Sequence, residues 1–141
     1  MKDIDLVILA GGKGTRIKKF INLPKPVAKF NNLNFLDYLF QNYSINFFKN
    51  IYVLAGFKGE EIKNIYNKKI FNLNKVNIIL EKYPMDTGGA LYGLKKIVKN
   101  NFVLTNGDSI VDIDLRQFTR KKLNNSLIKM ALISKKFTKN K

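Results

Sequence analysis

With 141 residues the chain has room for one domain with a substantial core, burying roughly two thirds of the surface of its unfolded form, and it is short for two. Hydrophobic residues at 45% and aromatics at 12% argue against disorder, and the absence of cysteine and histidine excludes disulfides, thiol or imidazole catalysis and zinc sites built on either residue. The 26 Lys and Arg against 10 Asp and Glu leave a net charge of +16, yet only Arg16, Arg116 and Arg120 are arginines, the residue that base-reading surfaces favour. Scattered lysines with abundant asparagine fit a biased proteome better than a nucleic-acid interface. No run approaches membrane-spanning length and no apolar stretch follows a basic N-terminus, so the expectation is a soluble cytoplasmic protein that binds neither nucleic acid nor membrane.

Ile4 to Ala10 is an apolar run that reads as a strand ending in a loop, and the loop is Leu9 to Arg16, LAGGKGTR. Gly11, Gly12 and Gly14 leave few Cβ atoms, so successive N–H groups can turn towards one anion, a phosphate in the simplest case. Lys13 and Arg16 supply positive charge beside them, Arg16 with a planar fork matched to phosphate oxygens. Neither familiar phosphate loop fits: the P-loop pattern is absent, and the dinucleotide fingerprint fails at Ile17, where a third glycine would allow close packing of helix on strand. The bland alternative is a glycine-rich surface turn beside lysines. Ile17 to Leu23 is expected to be exposed and mobile. The prolines of LPKP, Leu23 to Pro26, then fix the backbone around Lys25, which either points into a site or is a solvated lysine in a rigid turn.

From Phe35 to Phe47, the apolar residues Phe35, Leu36, Leu39, Phe40 and Tyr43 recur at helical spacing and form a core face. Ile51 to Gly56 reads as a buried strand, and Lys58 to Ile70 as a helix whose Glu60 and Glu61 come early and Lys68 and Lys69 late, complementing the helix dipole. Val76 to Glu81 is the next strand. In the stretch from Tyr83 to Lys99, Thr87 is placed to cap a helix carrying Leu91, Leu94, Ile97 and Val98. Gly88 and Gly89 then sit at a helix N-terminus, which either admits a flat base or a phosphate to the backbone or is a glycine-softened helix start.

Phe102 to Thr105 reads as a strand running into Asn106, Gly107 and Asp108, a carboxylate at a strand's carboxyl end, where ligand sites in open α/β sheets gather. With Asp112 and Asp114 close behind, a carboxylate cluster beside a phosphate site suggests Mg²⁺. The plainer reading of Asp112 and Asp114 is that one of them caps a helix from Leu115 to Leu123. Ser126 to Ile133 reads as one more strand and Lys135 to Lys141 as a frayed basic tail. The alternation predicts an α/β protein, a three-layer α/β/α sandwich on a mainly parallel, Rossmann-like sheet, with the domain at residues 1–134 and the tail at 135–141.

LAGGKGTR, LPKP, DTGGAL and NGD in this order resemble the nucleotidyltransferases that make NDP-sugars, the sugar-phosphate pyrophosphorylase family, over nearly the whole chain. Within it, PKPVAKFNNLNFLDYL, AGFKGEEI and NGDSIVDIDL look most like the D-glycero-D-manno-heptose 1-phosphate guanylyltransferases, with the N-acetylmuramate and mannose 1-phosphate enzymes as close rivals. The resemblance implies the nucleotide-diphospho-sugar transferase fold and puts a nucleoside triphosphate on Leu9, Ala10, Gly11, Gly12, Gly14, Thr15 and Arg16. It further implies Lys25 at the phosphates, Glu81, Thr87, Gly88 and Gly89 by the base and sugar, Asp108 on Mg²⁺, and a catalytic set of Arg16, Lys25 and Asp108. Asp86 stands where many relatives have glycine.

The implied reaction transfers GMP from GTP to a heptose 1-phosphate, releasing pyrophosphate, for cell-surface polysaccharide precursors. Such a sugar phosphate, with a second pKa near ~6, is largely a dianion at neutral pH and can attack the α-phosphorus without a protein base. Catalysis would then rest on in-line placement, with Lys25, Arg16 and Mg²⁺ offsetting charge. Family members continue further, adding strands around the sugar and a second metal-binding aspartate, whereas nothing after Asp114 is acidic. The expectation is therefore a nucleotide-binding N-terminal part, C-terminally incomplete. The alternatives are a non-catalytic remnant and a uridylyltransferase or mannose-1-phosphate guanylyltransferase relative.

Overall fold

The computed structural model describes residues 4–15, 23–43, 47–67, 69–71, 74–83, 86–120 and 127–132. In chain order it contains β1 (Ile4–Leu9), a short 3-10 turn (Lys25–Val27), β2 (Lys29–Phe30), β3 (Leu33–Asn34), α1 (Phe35–Asn42), β4 (Ile51–Ala55), α2 (Gly59–Tyr66), β5 (Ile70–Phe71), β6 (Asn74–Leu80), α3 (Asp86–Leu94), β7 (Asn101–Asn106) and α4 (Leu115–Arg120). A five-stranded sheet runs in the order β5-β6-β4-β1-β7. β1 pairs in parallel with β4 on one side and β7 on the other, β4 pairs in parallel with β6, and only β5 is antiparallel.

Leu6, Val7 and Ile8 of β1 are all fully buried, so both faces of the sheet carry a layer. On one face Leu6, Ile8, Val53 and Val76 pack with Leu36, Leu39 and Phe40 of α1 and Ile62 and Tyr66 of α2. On the other, Val7 and Leu54 pack with Ala90 and Leu94 of α3. Each such large side chain taken from water contributes about 1.5–3 kcal/mol. The expected α/β/α sandwich is thus present, and among the described residues no helix is long and apolar enough to cross a membrane.

Two buried carboxylates pin the layers. Asp5, 1% exposed, accepts hydrogen bonds from the backbone and side-chain amides of Asn50 and from Asn100 Nδ2, joining β1 to the segments that lead into β4 and β7. Asp37 accepts from the Asn34 N–H at the start of α1 and from the Tyr66 hydroxyl of α2. Burial and the Asp37 carboxylate hold the Tyr66 pKa far above its usual value, so Tyr66 remains a donor.

Several boundaries differ from expectation. α1 stops at Asn42, and Phe47 and Phe48 lie in the connection as an edge-to-face ring pair. α2 ends at Tyr66 because Asn67 turns extended, at φ −62 and ψ 127, and Ile70 and Phe71 pair with Lys75 and Asn74 as a strand. The hairpin of β2 and β3 turns through Asn31 and Asn32 at φ 44 and 68, the left-handed pair that a tight hairpin turn uses. The strand expected over Ser126 to Ile133 does not form among the described residues 127–132, where Leu127, Ile128, Met130 and Leu132 are exposed without a neighbouring strand. An isolated strand leaves its backbone groups to water and gains nothing by being extended. Thr87 lies inside the first turn of α3 and not at its cap, since the helix begins at Asp86.

Candidate active site

Parallel strands deliver their carboxyl ends to one edge of the sheet. At that edge lies a cavity of about 650 Å³, lined by Leu9 to Lys13 after β1, Lys25 and Pro26 of the 3-10 turn, Glu81 after β6, Asp86, Thr87 and Ala90 of α3, and Asn106 to Asp108 after β7. A second cavity of about 310 Å³ is lined by Gly14, Thr15, Lys25 and Asp108, and so shares Lys25 and Asp108 with the first.

The loop after β1 continues the sheet's hydrogen bonding for one more step. Ala10 N–H donates to the Leu54 carbonyl at 2.7 Å, and Gly107 N–H donates to the Leu9 carbonyl at 2.7 Å. A Cβ on Gly107 would stand 2.8 Å from the Leu9 carbonyl oxygen, so the glycine of NGD is required by close approach of two backbones. Gly14 adopts φ +58, a conformation that ordinary side chains resist, and the Lys25 stem runs alongside it. Pro24 and the buried Pro26 bracket Lys25, and the Phe35 N–H donates to the Ala28 carbonyl, tying this turn to α1.

Lys25 Nζ lies 2.8 Å from Asp108 Oδ2, with the two side chains 34% and 41% exposed. Ser109 Oγ donates to the other Asp108 oxygen at 3.2 Å. The hydrogen bond from Lys25 outweighs partial burial and lowers the Asp108 pKa, so this carboxylate is ionised at neutral pH. Behind it, the buried Tyr43 hydroxyl shares a hydrogen bond of 3.0 Å with Thr105 Oγ1. Glu81 stands apart from these charges. Its carboxylate lies against the backbones of Gly11 and Gly56, where an added Cβ would come within 2.9 Å of Oε2, and burial raises its pKa. No donor among the described residues hydrogen-bonds that carboxylate.

Most residues singled out from sequence therefore converge. Leu9, Ala10, Gly11, Gly12, Lys25, Glu81, Thr87 and Asp108 line the larger cavity, and Gly14 and Thr15 the smaller. Gly88 and Gly89 lie in the first turns of α3, outside both linings. Arg16 lies outside the described residues. Asp114 caps α4 by accepting the Arg116 and Gln117 N–H groups, the plainer of its two readings. Among the described residues no group of three or more acidic side chains could hold a metal, so Asp112 and Asp114 do not extend Asp108 into a cluster. Sequence reading passed over Asn106 as a lining residue and over the Ser109 and Tyr43 hydroxyls. Tyr43 occupies a position in the helical apolar stripe that is indistinguishable from ordinary core.

A mainly parallel α/β sheet thus gathers a glycine loop, a proline-bracketed lysine and a carboxylate around one cavity at its carboxyl edge. Residues 6–140 match the family model described as nucleotidyl transferase, and the chain belongs to that family. It is 38% identical over 127 residues to the D-glycero-alpha-D-manno-heptose 1-phosphate guanylyltransferase of Campylobacter jejuni, covering 89% of this chain and 56% of that protein. To the enzyme of the same name from Aneurinibacillus thermoaerophilus it is 31% identical over 116 residues, covering 81% and 50%. The chain thus spans about half the length of the curated relatives it matches. Among solved structures, HddC from Yersinia pseudotuberculosis superposes with a TM-score of 0.72 at 31% identity, covering 88% of this chain and 54% of that one. HddC complexed with GMP-PN matches equally well.

Proposed function

We propose that this chain is the nucleotide-binding part of a guanylyltransferase that moves GMP from GTP onto a heptose 1-phosphate and releases pyrophosphate. The observation that carries the reading is one cavity lined together by Gly11 and Gly12 of the glycine loop, Lys25, Asp108 and Glu81, the last lying against Gly11 and Gly56. Similarity to two heptose 1-phosphate guanylyltransferases and to a protein complexed with GMP-PN supports both the sugar and the base.

In this reading the amides of Gly11, Gly12 and Gly14 and the ammonium groups of Lys13 and Lys25 hold the phosphates. Glu81 accepts from guanine: among the common bases only guanine presents adjacent N1–H and N2–H donors, which a carboxylate takes as a bidentate pair. The sugar phosphate dianion is its own nucleophile, so the residues need only hold it in line and offset charge, and no histidine is required. Asp108, an ionised oxygen donor that opens on both cavities, fits Mg²⁺, which takes one or two carboxylates and completes its shell with phosphate oxygens and water. When bound, the ion would neutralise phosphate charge.

The test is a single-turnover assay with the chain in excess over GTP, with heptose 1-phosphate and Mg²⁺ present. Pyrophosphate release that depends on heptose 1-phosphate is expected, with UTP and CTP bound at least about tenfold more weakly than GTP. Lys25→Ala and Asp108→Ala should each lower turnover by more than about a hundredfold, the scale of losing one key electrostatic group. Tight GTP binding without release would assign the chain to nucleotide binding alone, and equal binding of UTP would remove the guanine assignment.

A further inference from the structure

The Lys25–Asp108 contact occupies the boundary between the two cavities. Lys25 and Asp108 are the residues common to both linings, while Gly14 and Thr15 line only the smaller one. Both oxygens of the carboxylate are engaged, Oδ2 by Lys25 at 2.8 Å and Oδ1 by Ser109 at 3.2 Å. In this arrangement the ammonium that a phosphate needs is neutralised by the carboxylate that a cation needs. A polyphosphate occupying both cavities would lie against the pair, which without a metal offers it no net charge.

We infer that the Lys25–Asp108 ion pair is a latch between two compartments of the cleft, opened when a divalent cation takes Asp108 and frees Lys25 for phosphate in the smaller compartment. The inference rests on the proposed nucleotidyl transfer only for the identity of the anion. Charge sets the direction: a lysine paired with an aspartate sums to zero, whereas a divalent ion on the aspartate makes +1 there and returns the +1 ammonium to the ligand. Exposure sets the strength. A pair whose members are 34% and 41% exposed is held weakly, so an arriving cation can displace it. The Lys25 stem runs alongside Gly14, and bracketing prolines fix its backbone, so release moves the ammonium and not the loop. Cation and anion are then coupled through this chain's own residues, beyond any chelation between them in solution.

Two binding measurements test the latch without turnover. Titration of the 141-residue chain with Mn²⁺, read by electron paramagnetic resonance with no nucleotide present, should give about fivefold tighter binding in Lys25→Met, which keeps the stem and loses the competing charge, and no bound signal in Asp108→Asn. General electrostatics would also favour Mn²⁺ in Lys25→Met, so the deciding measurement is a double-mutant cycle on GTP affinity in EDTA. Lys25→Met should cost less than about twofold while Asp108 is present to occupy the ammonium, and about fivefold in the Asp108→Asn background where it is free. Lys13→Met, removing a cation of the same cavity, should cost the same in both backgrounds. Equal losses for Lys25→Met in the two backgrounds, or unchanged Mn²⁺ affinity, would overturn the latch. If GTP fails to bind the parent even with Mg²⁺ present, the guanylyltransferase reading falls, and the same double-mutant cycle run with inorganic triphosphate in EDTA decides the latch.

Discussion

Glu81 carries its charge at a cost to the fold. Its carboxylate is half-buried against Gly11 and Gly56, and desolvation raises its pKa above the ordinary 4.5. A folded-state pKa above the unfolded value means that the native protein binds the proton more tightly. The resulting stabilisation is fully present below the unfolded pKa and is lost as pH rises through the folded one. At neutral pH the ionised group therefore works against folding, a burden in keeping with the base contact proposed for it. Glu81→Gln should raise the thermal midpoint at pH 7, and the gain should vanish below the ordinary pKa of 4.5, where the parent carboxyl is itself protonated. The same change should weaken GTP binding by about tenfold or more, the usual scale for losing a charged hydrogen-bond partner. Calorimetry across pH and titration with GTP check the two halves separately, and a variant that gains stability yet binds GTP undiminished would take Glu81 away from the base.

At the scale of elements, β1 carries a load at each end. Its amino end holds Asp5, clasped by Asn50 and Asn100, and its carboxyl end feeds the glycine loop, about 20 Å away for a strand of six residues. Asp5→Ala leaves buried amide donors without an acceptor and should cost about 2–3 kcal/mol in urea unfolding. GTP affinity measured well below the unfolding transition should stay within about twofold, because the site lies at the other end of the strand. The strands β1, β4, β6 and β7 were legible as apolar runs, and α1 as a stripe at helical spacing; burial on both faces dictates the composition of β1 and β4, whereas β7 is apolar while largely exposed. The Asp5 clasp was not legible, since it depends on asparagines 45 and 95 residues away. Nor were β2, β3 and β5, two residues each, which are strands only because a partner lies beside them. The motifs announced Lys25 and Asp108 separately, but 83 residues part them, and only the sheet order that sets β7 beside β1 makes them a pair.

For the molecule as a whole, charge and the sheet edge pull in opposite directions. β7 is the last strand on its side of the sheet among the described residues, and its sequence, NFVLTN, has neither charge nor proline to discourage another strand from pairing with it. Phe102 and Leu104 are exposed on it at 43% and 39%, and Leu127, Ile128, Met130 and Leu132 add further uncovered apolar surface. Against this stands a net charge of +16, which keeps copies apart while ionic strength is low. Screening shortens that repulsion to about 3 Å in 1 M salt, whereas backbone pairing and apolar contact do not weaken with salt. The chain should therefore scatter light as a monomer in dilute buffer and associate as sodium chloride rises towards 1 M, the opposite of what adventitious binding to nucleic acid would give. Phe102→Lys places a charge on the open strand and should suppress the salt-induced association, whereas Ile65→Lys, at an exposed position on α2, should leave it unchanged. Light scattering against salt for the three proteins decides the matter: association that persists in Phe102→Lys and disappears in Ile65→Lys would move the adhesive surface from the sheet edge to the helical layer.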